Sequence, residues 1–419
     1  MRYADRVVDQ EIAHALRSAG AVLLEGPRAC GKTATGLHHS HSAVRLDVDA
    51  RARELAALDP MLVLDGERPR LIDEWQLEPQ LWNQVRRAVD DAQAPGQFLL
   101  TGSATPADDV TRHSGAGRIL RLRMRPMSLA ESGHSTRRVS LSGILGGAPI
   151  SGDRSPMTVP HIAERISIGG WPALQDLSAP DAQKLLRSYL DDVARVDVKL
   201  LEESGRSRDP ARLRRLIAAY ARHVATSASM STIAADTASP QSKDVNRDTA
   251  AEYVDLLARL MVVEEQPSWA PHLRSRATVR QAPIRHFVDP SLAVAAMGAS
   301  ADRLLADPNT LGLLFESMAI RDLRIYAQAL DGDVLHYRDS TGAEADAIVH
   351  LRDGRWAIIE VKLADSRVDA AAQALNALVA RIDTDKVGKP VARIIVTGGQ
   401  YAYTRPDGVI VVPLACLGP

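Results

Sequence analysis

Eight residues place the strongest constraint on this chain. Gly26-Pro27-Arg28-Ala29-Cys30-Gly31-Lys32-Thr33 fits the pattern GxxxxGK[ST] and follows directly on the apolar run Ala21–Glu25. A buried strand, a glycine-rich turn and a helix in that order make a cradle for phosphate. The glycines let successive backbone N–H groups turn inward on the anion. Lys32 brings a point charge to the β and γ groups, and Thr33 offers a hydroxyl to Mg2+. The following helix adds its positive end. The expectation is an α/β domain with a parallel sheet, binding a nucleoside triphosphate through residues 26–33.

Hydrolysis needs a second, acidic element, and the sequence supplies it at Arg70-Leu71-Ile72-Asp73-Glu74-Trp75. This reads as a short strand ending in adjacent carboxylates. Asp73 is expected to join Thr33 in the Mg2+ shell, and Glu74 to orient and deprotonate the attacking water. A further strand candidate lies at 44–48. Another at 98–100 ends in Thr101-Gly102-Ser103, where a polar tip residue faces the γ-phosphate; Thr101 is the first choice and Ser103 the second. Ala116-Gly117-Arg118 then precedes a strand-like 119–122. Arg118 is the candidate finger toward a neighbouring subunit's nucleotide, with Arg121, Arg123 and Arg125 as rivals.

The spaced run GPRACGKT, LIDEWQ, LLTGSAT, GAGR, RPMSLAE and GGWPAL resembles the AAA-like prokaryotic P-loop ATPases whose C-terminal half is a conserved domain of unknown function. That resemblance covers nearly the whole chain. It implies a sheet in which the phosphate-loop strand lies beside the strand carrying Thr101, and it implies ATP as the ligand. It also implies that the turn at Gly169-Gly170-Trp171-Pro172 closes the ATPase module.

Composition narrows the partners. A net charge of −1 excludes a polycation that coats nucleic acid by charge alone. Two cysteines, Cys30 and Cys416, build neither a disulfide framework nor a four-ligand zinc site. No apolar run approaches the roughly 18 residues of a membrane helix, and the charged N-terminus is unlike a signal, which points to the cytoplasm. Only seven residues are lysine, leaving 44 arginines. Where arginine is used so freely, a lysine marks a place that suits a compact ammonium. Lys32 and Lys362 both fall inside motifs. The histidines at 38, 39 and 41 read as surface.

The middle of the chain is less specific. Residues 132–160, rich in Ser, Gly and Pro, read as an insertion or flexible loop, and 181–203 as an amphipathic helix on which Tyr189 packs, as does Trp171. From 212 to 267 the order is helix, short helix Met230–Ala235, turn, helix 245–260 and strand-like 261–265. That is a winged-helix order, and the resemblance supports it. Arg247 and Arg259 on the longer helix face Asp244, Asp248, Glu252 and Asp255, so DNA reading and plain packing both stay open.

The last third carries a second constellation. Strands are expected at 334–337, 344–350 and 356–362, with a helix at 369–382 and a buried strand at 394–397. Glu360 and Lys362 are two apart and leave one face of their strand, where Asp346 on the paired strand can meet them. The pattern D-x13-E-x-K resembles the PD-(D/E)xK nucleases over about 310–419. It implies Asp346 and Glu360 as Mg2+ ligands and Lys362 beside a scissile phosphate. Glu316, on a helix expected at 311–329, reads as an auxiliary acid, and Gln373 as a backbone contact. The chain is thus expected to comprise an ATPase domain at 1–175, a helical and winged-helix module at 176–300, and a small α/β nuclease-like domain at 301–419. The function read from it is Mg2+-dependent ATP hydrolysis coupled to DNA binding or cleavage. The alternative is a nucleotide-dependent switch whose C-terminal domain holds nucleic acid or a protein partner without cutting. A trans-acting Arg118 would require a homo-oligomer.

Overall fold

The computed structural model of the chain describes residues 3–103, 115–150, 152–197, 209–238, 245–271, 282–339 and 341–419. It divides into two compact units, Met1–Pro126 with Leu256–Val262, and Met127–Asp255 with Val263–Pro419.

In the first unit, α1 (Val8–Ser18) leads into β1 (Ala21–Glu25), the loop, and α2 (Lys32–His38). Then come β2 (Ser42–Arg45), α3 (Ala50–Leu58), α4 (Pro60–Leu64), β3 (Arg70–Asp73), α5 (Leu81–Ala92), β4 (Phe98–Gly102) and β5 (Ile119–Arg123). The five strands form one parallel sheet in the order β2-β3-β4-β1-β5. Strands covered on both faces read as continuous apolar runs, and β1 and β4 do so: Val22, Leu23, Leu24, Leu99 and Leu100 are wholly buried. On one side they pack with Trp75, Trp82 and Val85. The strand expected at 44–48 ends at Arg45, because Asp49 turns the chain into α3 by accepting the Ala52 N–H (2.9 Å).

The second unit is built on a seven-stranded mixed sheet, β7-β12-β13-β11-β10-β9-β8. Here β7 is Asp153–Arg154, β8 Gly332–Arg338, β9 Glu344–Leu351, β10 Trp356–Lys362, β11 Ala392–Thr397, β12 Tyr401–Thr404 and β13 Ile410–Pro413. The strands β8, β9 and β10 form an antiparallel meander, and β10, β11 and β13 run parallel. The three expected strands and the helix after them (Val368–Val379) are all present. Ser340, between β8 and β9, lies outside the described residues.

Three expectations change. The stretch 132–160 is not a loose insertion: β6 (Val139–Ser140) pairs with β14 (Leu417–Gly418), a short helix Leu141–Leu145 follows, and β7 pairs with β12. Its partners come far later in the chain, Leu417 for Val139 and Ala402 for Asp153, so no local pattern announces them. The helix expected over 181–203 is Ala179–Asp192, followed by a π turn Val193–Asp197; residues 198–203 lie outside the described part. In place of a strand at 261–265 there are two isolated antiparallel bridges, Val263↔Phe287 and Gln266↔Ile284.

The long helix Pro308–Gln328 anchors this unit. Its Arg321, 3% exposed, donates to Asp289 Oδ2 (2.7 Å) and Asp322 Oδ1 (2.7 Å), both fully buried. Asp322 also accepts the Leu129 N–H, and Asp289 the Gly170 N–H. A Cβ on Gly170 would lie 2.0 Å from the Met127 carbonyl oxygen, so this turn admits only glycine. Trp171 is buried beside it and donates its indole N–H to Ser291 Oγ (3.0 Å). Among the described residues, no helix is long and apolar enough to cross a membrane.

Candidate functional sites

The phosphate loop leaves β1 at the C-terminal edge of the parallel sheet. Ala29 (φ 62°) and Gly31 (φ 107°) both take left-handed backbone, which turns the loop back over itself. Gly26 fits because a Cβ there would lie 2.2 Å from the Met124 carbonyl oxygen. Arg6, nearly buried, ties the loop down by donating to the Cys30 carbonyl (2.9 Å) and the Arg125 carbonyl (2.7 Å). Lys32 is buried, with Nζ on the Gly26 and Pro27 carbonyls (2.9 and 2.8 Å). The Cys30 thiol is fully buried.

Register places the acidic element next to this loop. Leu24 pairs with Thr101 across β1 and β4, and Ile72 with Leu100 across β3 and β4, so Asp73 and Thr101 sit side by side at the strand tips. The Thr33 hydroxyl donates to both Asp73 oxygens (3.0 and 3.1 Å), and the Thr101 hydroxyl donates to Oδ1. Burial pushes the Asp73 carboxyl upward, against the pull of these two hydroxyls. Glu74 follows in left-handed backbone (φ 57°, ψ 45°), and its N–H reaches Thr101 Oγ1 (3.3 Å). Its carboxylate accepts from Gln76 Nε2 and from the Ser103 hydroxyl (3.1 Å).

The fully buried Thr101 therefore spends its hydroxyl on Asp73 and on the backbone of Glu74. Ser103, the second choice, touches Glu74 itself. Arg118 lies elsewhere: Ile119 pairs with Ala21, so Arg118 is at the N-terminal end of β5, at the opposite end of the sheet from the loop. There it is paired with Asp90 (2.8 Å). Arg121 is paired with Glu25 (2.9 Å). The histidines are not all bare surface either. His39 is half-buried on Asp9 (3.0 Å), and Tyr3 stacks on His38 at 4.3 Å.

In the second unit, Asp346, Glu360 and Lys362 are brought together. Lys362 Nζ lies 2.6 Å from Glu360 Oε1 and 3.3 Å from Asp346 Oδ2. A break in the ladder helps to place Asp346. Leu335 pairs with Ile348 but Tyr337 with Ala345, so two steps on β8 face three on β9, and the extra residue falls at 346–347. Released from regular pairing, Asp346 accepts the Val361 N–H on Oδ2 (2.7 Å), and its carbonyl accepts from Gln266 Nε2 (2.9 Å).

Charge is concentrated here. Burial and the neighbouring Asp346 push the Glu360 carboxyl up to about 7, against the pull of Lys362. Burial, then Asp346, holds Glu316 well above the ordinary carboxylate range. Burial lowers Lys362, but Asp346 and Glu360 outweigh it and raise its pKa. Glu316, Asp346 and Lys362 line a cleft of about 620 Å3. Among the described residues, no three His, Cys, Asp or Glu side chains converge to hold a metal ion.

A parallel sheet in the order above, with a glycine-rich loop leaving its inner strand β1 and an Asp-Glu pair two strands away, defines a P-loop ATPase architecture. Residues 18–133 match the family model described as an AAA domain. Residues 159–303 and 311–417 match two domains of unknown function, DUF8612 and DUF4143. The chain is 28% identical over 412 residues to uncharacterised proteins of Mycobacterium bovis and Mycobacterium tuberculosis, spanning 96% of this chain and 82% of each relative. Among solved structures it is similar to a Walker-type ATPase of Pyrococcus abyssi, with 13% identity, 70% of this chain, 96% of that one and a TM-score of 0.42. A second is the ORC2 protein of Aeropyrum pernix in ADPNP–ADP complexes, with 11% identity, 72% and 91% coverage and a TM-score of 0.28. The N-terminal unit is AAA-like, and nucleotide binding goes with it.

Proposed function

We propose that the protein binds ATP with Mg2+ at residues 26–33 and hydrolyses it. The observation that carries this reading is the Thr33 hydroxyl on Asp73 at 3.0 Å, with Glu74 next in the chain. A hydroxyl and a carboxylate in contact are a hard-oxygen pair suited to Mg2+, which keeps its other positions for water and phosphate. When bound, the ion neutralises charge on the phosphates. Lys32 contributes the ammonium that steadies the β and γ groups, Glu74 orients the attacking water and takes its proton, and Thr101 holds Asp73 and the Glu74 backbone in place. Arg118 acts on a neighbouring copy's nucleotide, which makes the working form a homo-oligomer. Lys32→Ala is expected to abolish nucleotide binding, and Glu74→Gln to leave binding intact while turnover falls by about 10²–10⁴. Normal hydrolysis by Glu74→Gln would overturn the assignment of the base.

The reading extends to the second unit, where Asp346 and Glu360 supply two carboxylates for Mg2+ and Lys362 a cation for a phosphodiester. ATP turnover is then coupled to DNA cleavage, with residues 1–175, 176–300 and 301–419 as the ATPase, connecting and nuclease-like stretches, and 212–267 as a winged helix that contacts DNA or a partner. A second reading, a cytoplasmic switch that binds nucleic acid or a protein partner without cutting, is favoured by Lys362 Nζ lying on both Glu360 and Asp346, which ties the three side chains to one another. Plasmid nicking with Mg2+, compared against Asp346→Ala, separates the two. Nicking lost in the variant supports cleavage; no nicking by either supports the switch.

A further inference from the structure

The cleft beside Lys362 has features that neither carboxylate chemistry nor packing uses. At about 620 Å3 it falls within the roughly 300–1,000 Å3 of small-ligand sites. One part of its wall is charged, with Lys362, Asp346 and Glu316, and another is apolar, with Ala225, Ile284 and Leu313. On β8, beside β9 in the same sheet, the wall includes His336. This residue is 4% exposed, yet its Nε2 has no hydrogen-bond partner. A buried ring nitrogen left unpaired is unfavourable, and a ligand's polar edge would relieve it. Burial keeps the imidazole pKa below its ordinary value, against a hydrogen bond to the Ala282 backbone, so the neutral ring has one nitrogen committed and Nε2 buried without a partner. Thr226 and Ser227 add hydroxyls at the wall, and Arg338 Nη1 lies 3.5 Å from Ser227 Oγ.

We propose that this cleft is a pocket for one unpaired nucleotide of a single strand, its phosphate at Lys362 and its base edge on His336 Nε2. The proposal rests on the reading of Asp346, Glu360 and Lys362 as a phosphodiester site and adds the substrate class. A cleft of this volume holds about one nucleotide, so a base reaches His336 only after leaving its stack, which a single strand allows at least cost. A base turned out of its stack offers the polar edge that His336 needs.

The test uses the full chain and fluorescence anisotropy with a labelled oligothymidylate, the matching blunt duplex and free dTMP. Single strand is expected to bind about tenfold more tightly than either duplex or dTMP. His336→Phe should remove most of that preference and His336→Gln should keep it. Ser227→Trp, which fills the cleft from a half-exposed position, should act like His336→Phe without disturbing the core. Thermal unfolding followed by near-ultraviolet circular dichroism, compared with wild type, reports that each variant keeps its second unit folded. A duplex or dTMP that binds as tightly as the single strand overturns the proposal. So does a preference that survives both His336→Phe and Ser227→Trp while Lys362→Ala still weakens binding. If Lys362→Ala changes nothing, the phosphodiester reading itself has failed.

Discussion

Thr101 illustrates what a single position can and cannot disclose. Its place at a strand tip is legible, since an apolar run ending in Thr-Gly-Ser marks the edge of a parallel sheet. Its task is not, because the β3–β4 register that puts Asp73 beside it is a property of the sheet. Thr101→Val keeps the shape and removes the hydroxyl, leaving the buried Asp73 short of one donor. Turnover should fall about tenfold with KM little changed, and Thr101→Ser should restore it, in a steady-state assay. The same limit applies to Gln76 and Ser103, which stand inside recognised motifs but are chosen for Glu74 by the fold. Glu360 gives a prediction with a definite sign. Its folded pKa of about 7 lies above the ordinary 4.5, so the folded chain binds more protons than the unfolded one between these values. The acid's contribution is fully present below about 4.5 and is lost as pH rises toward about 7. Thermal melts without metal should therefore show wild type losing ground against Glu360→Gln across that window. Equal slopes would refute the raised value.

Among the elements, the strands and helices around the motifs were legible where periodicity was strong, as for Met230–Ala235, whose bounds agree with the structure. A signal left unread is the dipeptide Asp-Pro. It opens four helices, at 59–60, 209–210, 289–290 and 307–308, and in each the aspartate accepts a backbone N–H from the first turn. Asp289 does more, because its other oxygen meets Arg321 and the Gly170 N–H. Arg321 keeps Asp322 when Asp289 is removed, but the buried Gly170 and Ser291 N–H groups lose their acceptor. Asp289→Ala should cost about 2–5 kcal/mol in the second unit, at about 1–3 kcal/mol for each buried donor left unsatisfied. Urea unfolding followed by Trp171 fluorescence would check it; Trp171 bonds to Ser291, itself held by Asp289. The break in β9 at 346–347 was invisible for a related reason. Alternation places Glu360 and Lys362 from sequence alone, but an extra residue in a ladder is defined only by the partner strand.

For the whole molecule, charge decides how any nucleic acid is held. Forty-four arginines would suggest a strong polyanion binder, yet the net charge is −1. Many of those arginines are committed to internal pairs, as Arg321 is to Asp289 and Asp322, Arg285 to Glu265, and Arg405 to Asp369 and Asp407. Paired arginines neutralise carboxylates and release no counterions when a strand arrives. The cations at the cleft are paired as well, Lys362 with Glu360 and Asp346 and Arg338 with Glu344 at 4.0 Å, so a strand held there should neutralise few phosphates. For single strands each neutralised phosphate contributes about −0.7 to the slope of log K against log salt. Two or three contacts predict a slope of about −1.4 to −2.1, read from titrations of oligothymidylate between roughly 50 and 200 mM salt. A slope several times steeper would mean that a broad basic surface, and not the cleft, holds the strand. Repeating the titration with Glu74→Gln and saturating ATP asks whether the first unit governs the second: coupling predicts a changed intercept with the slope preserved, because the same few phosphates are touched in both nucleotide states.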